Sequence, residues 1–469
     1  MADTLRDALL ELVGDERRVS TSESVLDQHA RDLSYHPPHA PDVVVYPEST
    51  DEVARVLAWA NERRVPVVPF GAGTSLEGHV IPGAGGISLD LTRMDSVLEM
   101  RPSDLQARVQ PGVLRNALNA VAGQHGLWFP VDPGADATLG GMAATNASGT
   151  TTVRYGGMRS NTLALEVVLA DGTVIRPGSA AAKSSAGYDL RAVFVGSEGT
   201  LGVITELTLR LWGIPEHGVA ARAAFPSLEA ACRTAVALVG AGVAAQRIEL
   251  LDAETVRAVN AYKGTAYAEA PSLFLEFAGG STESVEGDLA AARQLAEWEG
   301  CEELQEEREP GARSRLWEAR HHVLFALVHG SPGKLHKATD VCVPVSELPA
   351  AIAHARERSD SLGVDAAIVA HAGDGNYHVL FMLDPAVPSE LEAAERLNAE
   401  IVDWALERGG TCTGEHGIGT GKLGYLEREH GDLVPYLQAL KHAFDPNGIL
   451  NPGKAVPGRS APVGRVDGG

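Results

Sequence analysis

The chain has 469 residues, a formal charge of −23, 44% hydrophobic residues and 22% charged residues, an ordinary globular composition with room for about two or three domains. The negative charge argues against nucleic acid and against anionic membrane surfaces as partners. Cys232, Cys301, Cys342 and Cys412 form no CxxC pair, which excludes a cysteine-ligated iron–sulfur cluster and provides no disulfide framework.

The first twenty residues mix acids into a helical pattern. They lack the basic start and unbroken apolar run of a secretory signal and are too acidic for a transit peptide. No stretch approaches ~20 uninterrupted apolar residues, so no membrane span is expected. A cytoplasmic protein is the simplest reading, with peripheral attachment at an inner membrane left open. Residues 1–37 read as one or two helices ending near His36-Pro-Pro38. A βαβ unit follows, from strand Asp42-Val-Val-Val-Tyr46 through a helix to strand Val65-Pro-Val-Val-Pro-Phe70. Ser49-Thr50-Asp51-Glu52 is a capping-box pattern at the helix start, and Val53, Val56, Leu57 and Ala60 recur at helical spacing. Between about 70 and 210 the chain is glycine-rich with short β-patterned runs. Gly86-Ile-Ser-Leu-Asp-Leu91 is one, and Glu166-Val-Val-Leu-Ala170 precedes an Asp171-Gly172 hairpin turn. The texture changes at Leu211-Trp-Gly-Ile-Pro215. From there helical segments (228–239, 285–298, 388–407) alternate with short strands, which suggests an α+β domain around an antiparallel sheet. Residues 456–469 have the composition of a disordered tail.

Three glycine loops stand in the first half. Pro69-Phe-Gly-Ala-Gly-Thr-Ser75 follows a strand, but Leu76 occupies the place of the third glycine in a dinucleotide fingerprint, and no P-loop lysine is present. What remains is a turn whose backbone N–H groups and hydroxyls can hold a pyrophosphate, or a tight turn needing glycine for φ > 0. The stretch 130–149 is long, small-residue-rich and poorly suited to regular structure, as functional loops are. Gly196-Ser-Glu-Gly-Thr-Leu-Gly-Val-Ile-Thr205 runs into a strand.

The second half carries His371-Ala-Gly-Asp-Gly-Asn-Tyr-His378. Asp374-Gly375 reads as a two-residue type I′ turn, which pairs 373 with 376, 372 with 377 and 371 with 378. Opposed residues share a sheet face, so His371 and His378 come within reach of one metal ion. Glu415 then completes a site of two histidines and one carboxylate with open coordination positions.

The first-half loops, with Gln110-Pro-Gly-Val113, resemble the vanillyl-alcohol-oxidase type flavoproteins, whose FAD-binding domain is of the p-cresol-methylhydroxylase (PCMH) kind. The second half resembles the FAD-linked oxidase C-terminal domain of acceptor- or cytochrome-type D-lactate dehydrogenases and of the catalytic subunit of glycolate oxidase complexes. There the carriers are the 371–378 segment, Gly410-Thr-Cys-Thr-Gly-Glu-His-Gly-Ile-Gly419 and Asp445-Pro-Asn-Gly-Ile-Leu-Asn-Pro-Gly-Lys454. The fold class implied is α+β, a two-subdomain PCMH-type FAD-binding domain plus an α/β cap built on an antiparallel sheet. The divisions are 1–37, 38–214 for the FAD-binding domain, 215–455 for the substrate and metal domain, and 456–469.

The resemblance implies FAD. In the first loop it points to Pro69, Gly71, Ala72, Gly73, Thr74, Ser75 and Gly78. In the second it points to Pro133, Thr138, Gly140, Gly141, Ala144, Asn146, Ser148 and Gly149. In the third it points to Glu198, Gly199, Gly202, Val203 and Ile204, and in the C-terminal motif to Asn451. Some relatives link the flavin through a histidine near the position of Ser75, so non-covalent FAD is expected here, and His79 is read as structural. His371, His378 and Glu415 would bind Zn²⁺ or Mn²⁺, and the carboxylate and hydroxyl of a 2-hydroxy acid could chelate that ion. His416 is the candidate base. Arg320, in Leu316-Trp-Glu-Ala-Arg-His321, matches the family segment that clamps the substrate carboxylate. Lys337 and Asn376 are weaker substrate-binding candidates. The expected activity is FAD- and metal-dependent oxidation of a D-2-hydroxy acid, D-lactate first, with glycolate and D-2-hydroxyglutarate as alternatives. Electrons would pass to an external acceptor, namely a quinone, a cytochrome, an electron-transfer flavoprotein or an iron–sulfur partner protein. The oligomeric state stays open, a homodimer included.

Overall fold

The computed structural model describes residues 2–384 and 386–458. The part of the expected tail from 459 onward lies outside the described residues. Among them, no helix is long and apolar enough to cross a membrane.

The βαβ unit forms as the pattern requires. Strands Val43–Val45, Ile87–Asp90 and Val67–Phe70 run parallel, and helix Thr50–Arg63 covers them with Val53, Val56, Leu57 and Ala60 fully buried. Ser49 caps the helix by accepting from the Glu52 N–H at 3.3 Å, while Glu52 turns back to the Glu48 N–H at 2.8 Å. The N-terminal segment holds helices Ala2–Val13 and Glu23–Gln28, with Val19–Ser20 between them as an edge strand against Val43–Val45. Two residues are too few to show a period, so this strand leaves no mark in the pattern.

A second sheet takes the antiparallel order Val97–Arg101, Gln106–Val109, Val203–Arg210, Thr162–Val168, Val174–Ile175. The stretch 130–149 is not wholly irregular: Leu139–Thr145 is a helix. Its Leu139, Gly140, Met142 and Ala143 are buried, and that packing overrides the poor intrinsic helicity of a glycine pair.

The largest sheet has the antiparallel order Glu303–Glu307, His217–Ala224, Ser272–Gly279, Ala245–Leu251, Ala366–His371, Asn376–Leu383, Leu335–Ala338. Helices Leu228–Gly240, Thr282–Trp298, Leu348–Leu362 and Pro388–Leu406 contribute to the core on one face, with Ile248, Leu250, Ile368, Ala370, Tyr377 and Val379. On the other face Leu251, Ala367, Val369 and Leu380 meet Leu316, Trp317, Val323 and Ala326 from two short helices, Pro310–His321 and Val323–Gly330. Side chains alternate along a strand, so Glu249, His371 and His378 point to this second face. The chain then returns to the first sheet, where the Val67 N–H donates to the Ile449 carbonyl and Asn451 N–H to the Val67 carbonyl.

Candidate active site

The hairpin at 371–378 is longer than a two-residue turn. His371 pairs with Asn376, Ala370 with Tyr377 and Val369 with His378, so residues 372–375 form the loop. Gly375 has φ +80°, but Asp374 is not in the left-handed region that a type I′ turn would demand of both. The correction shifts the register by two residues. Because side chains alternate with period two, the shift leaves His371 and His378 on one face, now as diagonal neighbours. Their rings stand edge to face with centroids 5.6 Å apart. A Cβ on Gly375 would fall 2.1 Å from the Val343 carbonyl oxygen. Gly375→Ala is therefore expected to destabilise the protein by at least ~2 kcal/mol and to lower turnover, as read by urea unfolding and steady-state rate.

Glu415 arrives from the loop after residue 410. Its Oε1 lies 3.2 Å from His378 Nε2 and 3.5 Å from His371 Nε2, and the three ligand atoms lie within 4.8 Å of one another. The remaining ring nitrogens are engaged: His378 Nδ1 donates to the Thr339 carbonyl at 3.0 Å and His371 Nδ1 to Glu249 at 2.8 Å. A carbonyl only accepts, so His378 Nδ1 carries a proton and Nε2 is the atom turned toward Glu415. A carboxylate and two imidazole Nε2 atoms aimed at one buried point are a donor set of the kind a divalent cation takes. Burial works against charge on His371, yet Glu249 and Glu415 outweigh it and hold its pKa well above the usual value. Burial also opposes ionised Glu415, but His371 and His378 keep it well below the carboxylate range.

Asp340 organises the neighbouring loop. It is 1% exposed and accepts from Asn376 Nδ2 (2.8 Å), Thr413 Oγ1 (2.7 Å), the Glu415 N–H (3.1 Å), the His416 N–H (2.8 Å) and Lys422 Nζ (3.0 Å). His416 stacks on His378 at 5.0 Å, and its Nε2 lies 3.7 Å from Glu415. Burial pushes the His416 pKa down to about 4, so its ring is neutral at neutral pH. Asp340, His378 and His416 also have metal-ligand spacing, but the Lys422 ammonium already stands on Asp340, and a cation there would meet it.

A cavity of about 230 Å³ opens onto this cluster. Arg320, Lys337, His371, His378, Glu415 and His416 all line it. Arg320 Nη2 donates to Glu249 at 2.6 Å, while its buried Nε has no acceptor among the described residues. Lys337 Nζ sits 4.5 Å over the Tyr35 ring and 3.8 Å from Glu395. Asn376 is different: its Nδ2 donates to Asp340 and the Val341 carbonyl, and it does not line the cavity. The expectation that it touches substrate is corrected to a support for Asp340.

The glycine loops converge beside this cavity. A Cβ on Gly71 would fall 2.4 Å from Thr138 Oγ1, and one on Gly199 would fall 2.9 Å from Pro69. The Glu198 N–H donates to the Ala144 carbonyl at 2.8 Å. Among the described residues no protein group accepts from the N–H groups of residues 71–77, a donor run suited to a pyrophosphate. Gly149 lines the cavity, and Ser148 Oγ lies 3.3 Å from Glu415 Oε2. Several predicted contacts have other partners. Ser75 Oγ donates to Asp32 at 2.9 Å. The Glu198 carboxylate accepts from the Ile418 and Gly419 N–H groups and faces His79. Asn451 Nδ2 donates to the His79 and Glu198 carbonyls. Val203 and Ile204 are buried strand residues paired with Val168 and Val167. The side chains of Ser75, Glu198 and Asn451 thus have partners within the protein, and those of Val203 and Ile204 are buried.

Sequence reasoning missed Glu249, Asp340, Glu77 and Lys422 as site residues. Each is a charged residue inside an apolar or glycine-rich stretch, the one signal that could have marked them. Lys422 Nζ lies 3.3 Å from Glu77. Burial disfavours its charge, but Asp340 and Glu77 more than compensate and raise its pKa.

Residues 214–455 match the family of FAD linked oxidases, C-terminal domain, and residues 41–178 match an FAD binding domain. The chain is 44% identical over 449 residues to a protein named probable D-lactate dehydrogenase, mitochondrial, from Danio rerio, covering 95% of this chain and 90% of that one. It is 43% identical over 418 residues to the D-lactate dehydrogenase [cytochrome], mitochondrial, of Arabidopsis thaliana, covering 89% of this chain and 74% of the relative. Glycolate oxidase subunit GlcD of Bacillus subtilis is 36% identical over 418 residues, 88% of each chain. A solved structure of p-cresol methylhydroxylase with substrate bound superposes with a TM-score of 0.79 over 97% of both chains at 17% identity, a likeness of fold alone.

Proposed function

This chain belongs to the FAD-linked oxidases and is an FAD-linked oxidoreductase with a PCMH-type FAD-binding domain, and from that premise we propose that it oxidises a D-2-hydroxy acid, D-lactate before others, at a divalent metal site. The observation that carries the reading is the convergence of Glu415 and two imidazole Nε2 atoms on one buried point in the cavity wall. FAD, held non-covalently, supplies a two-electron acceptor, and Zn²⁺ or Mn²⁺ at His371, His378 and Glu415 supplies a Lewis acid.

The protein's own groups supply the rest. Arg320 lines the cavity and offers its guanidinium to the substrate carboxylate, with its plane fixed by Glu249. Neutral His416 receives the hydroxyl proton on Nε2 while Asp340 holds the loop beneath it. Asp132, Gly134 and Gly149 from the 130–149 stretch and Glu415 and His416 form part of the cavity wall. The names of the relatives favour D-lactate, and their cytochrome designation favours an external one-electron acceptor. Lys337 in the cavity wall is the reason to include a second carboxylate, and the glycolate oxidase relative the reason to include glycolate.

A substrate panel with an artificial electron acceptor tests the proposal. D-lactate is expected to outrun L-lactate, glycolate and D-2-hydroxyglutarate, and prolonged chelation is expected to remove activity that Zn²⁺ or Mn²⁺ restores. Turnover that survives complete metal removal would defeat the metal reading, and a colourless protein would defeat the flavin one.

A further inference from the structure

Glu249 stands on strand Ala245–Leu251, directly opposite His371 in the ladder. It is 1% exposed, and on its own face of the sheet the next strand position, Leu251, packs in an apolar cluster with Val369 and Leu380. An apolar side chain would serve that packing, and a buried carboxylate is costly unless both oxygens are matched. Here each is matched by a different partner. Oε1 accepts from His371 Nδ1 at 2.8 Å and Oε2 accepts from Arg320 Nη2 at 2.6 Å. A single anion thus joins the imidazole offered to the metal to the guanidinium offered to the substrate.

We infer that Glu249 is a positioning residue that couples metal affinity to recognition of the substrate carboxylate, by fixing His371 and Arg320 on one shared carboxylate. The inference rests on the proposed function and adds a link between its two anchor points. Glu249 fixes a proton of His371 on Nδ1, which leaves Nε2 as the atom turned toward Glu415 and available to a metal that displaces its proton. It also fixes the plane of the Arg320 guanidinium while the buried Nε–H stays unpaired. The spacing between the metal and the carboxylate clamp is therefore set by one side chain, and a 2-hydroxy acid must span that spacing with its carboxylate and hydroxyl.

Glu249→Gln keeps the shape but offers one acceptor oxygen and an N–H₂ group that must face the second donor. In the FAD-loaded full chain, titration with Zn²⁺ or Mn²⁺ against a chelator is expected to show the dissociation constant raised about 10–100-fold. At saturating metal, KM for D-lactate is expected to rise about tenfold, more than kcat falls. In an Arg320→Met background the same substitution is expected to leave KM unchanged while still weakening metal binding, because the two effects then separate. Glu249→Asp, one methylene shorter and able to reach one partner at a time, is expected to weaken metal binding or raise KM, not both. Metal affinity and KM both within twofold of the parent in Glu249→Gln overturn the inference, as does a change in only one of them. Loss of FAD from both Glu249 variants also overturns it, by making the residue a structural support. The parent titration is read separately: a parent that binds neither metal overturns the proposed function itself.

Discussion

His371→Ala and Glu415→Ala are each expected to lower turnover of a D-2-hydroxy acid by on the order of 10³-fold, the loss of a Lewis acid worth several kcal/mol, with bound FAD unchanged. The physical ground is separation of labour in the fold. His371 and Glu415 belong to the hairpin and the 410–419 loop, whereas the N–H donor run at 71–77 belongs to the first sheet and its loop. Removing one imidazole also leaves Glu249 with a single partner, so some loss of stability is expected alongside the loss of metal. Flavin absorbance of the purified variants, metal content and rate are the three measurements. Loss of FAD together with activity in both variants would assign the cluster a structural role and remove it from the chemistry.

His416→Ala is expected to lower kcat by about 10²–10⁴-fold, the range for a lost general base, while metal content and FAD stay near those of the parent. The residue is placed for this by three contacts. Its N–H is held by Asp340, its ring is stacked on His378, and its Nε2 points toward Glu415. Burial outweighs the attraction of Asp340 and keeps the ring deprotonated at neutral pH. Partial rescue of the variant by imidazole in the buffer is expected, since the vacated space lies on the cavity wall. A loss of less than threefold would remove His416 from the proton transfer and turn attention to the neighbouring Glu77.

The hairpin shows how far a local pattern reaches. Its two strands and the shared face of the histidines are legible in the sequence, because strand parity survives a shift by two. The turn itself is not. Asp374-Gly375 looks like a two-residue loop in isolation, but Ala372 and Gly373 donate their N–H groups to the Ile248 carbonyl, and the Gly373 position packs on Val153. Those contacts draw two further residues into the loop. Asn376 misleads for a related reason. Beside two histidines its amide suggests a ligand contact, and only the approach of Asp340 shows where its Nδ2 is used. The helix Leu139–Thr145 escapes the pattern because its stability comes from burial, which composition does not reveal.

The chemical groups were determined by the sequence alone: two histidines, a Glu-His pair and glycine loops able to expose backbone N–H groups, in an order that identifies the family. Those facts are carried by residue type and short spacing, which survive any detail of packing. The tertiary structure alone decided which atoms meet. Ser148 reaches Glu415 across 267 residues, and Glu198 holds the Gly419 N–H across 221. Glu249 joins His371 to Arg320 from a strand with no motif of its own. Such contacts depend on how three sheets settle against one another, and a buried charge shows its purpose only when both of its oxygens have found their partners.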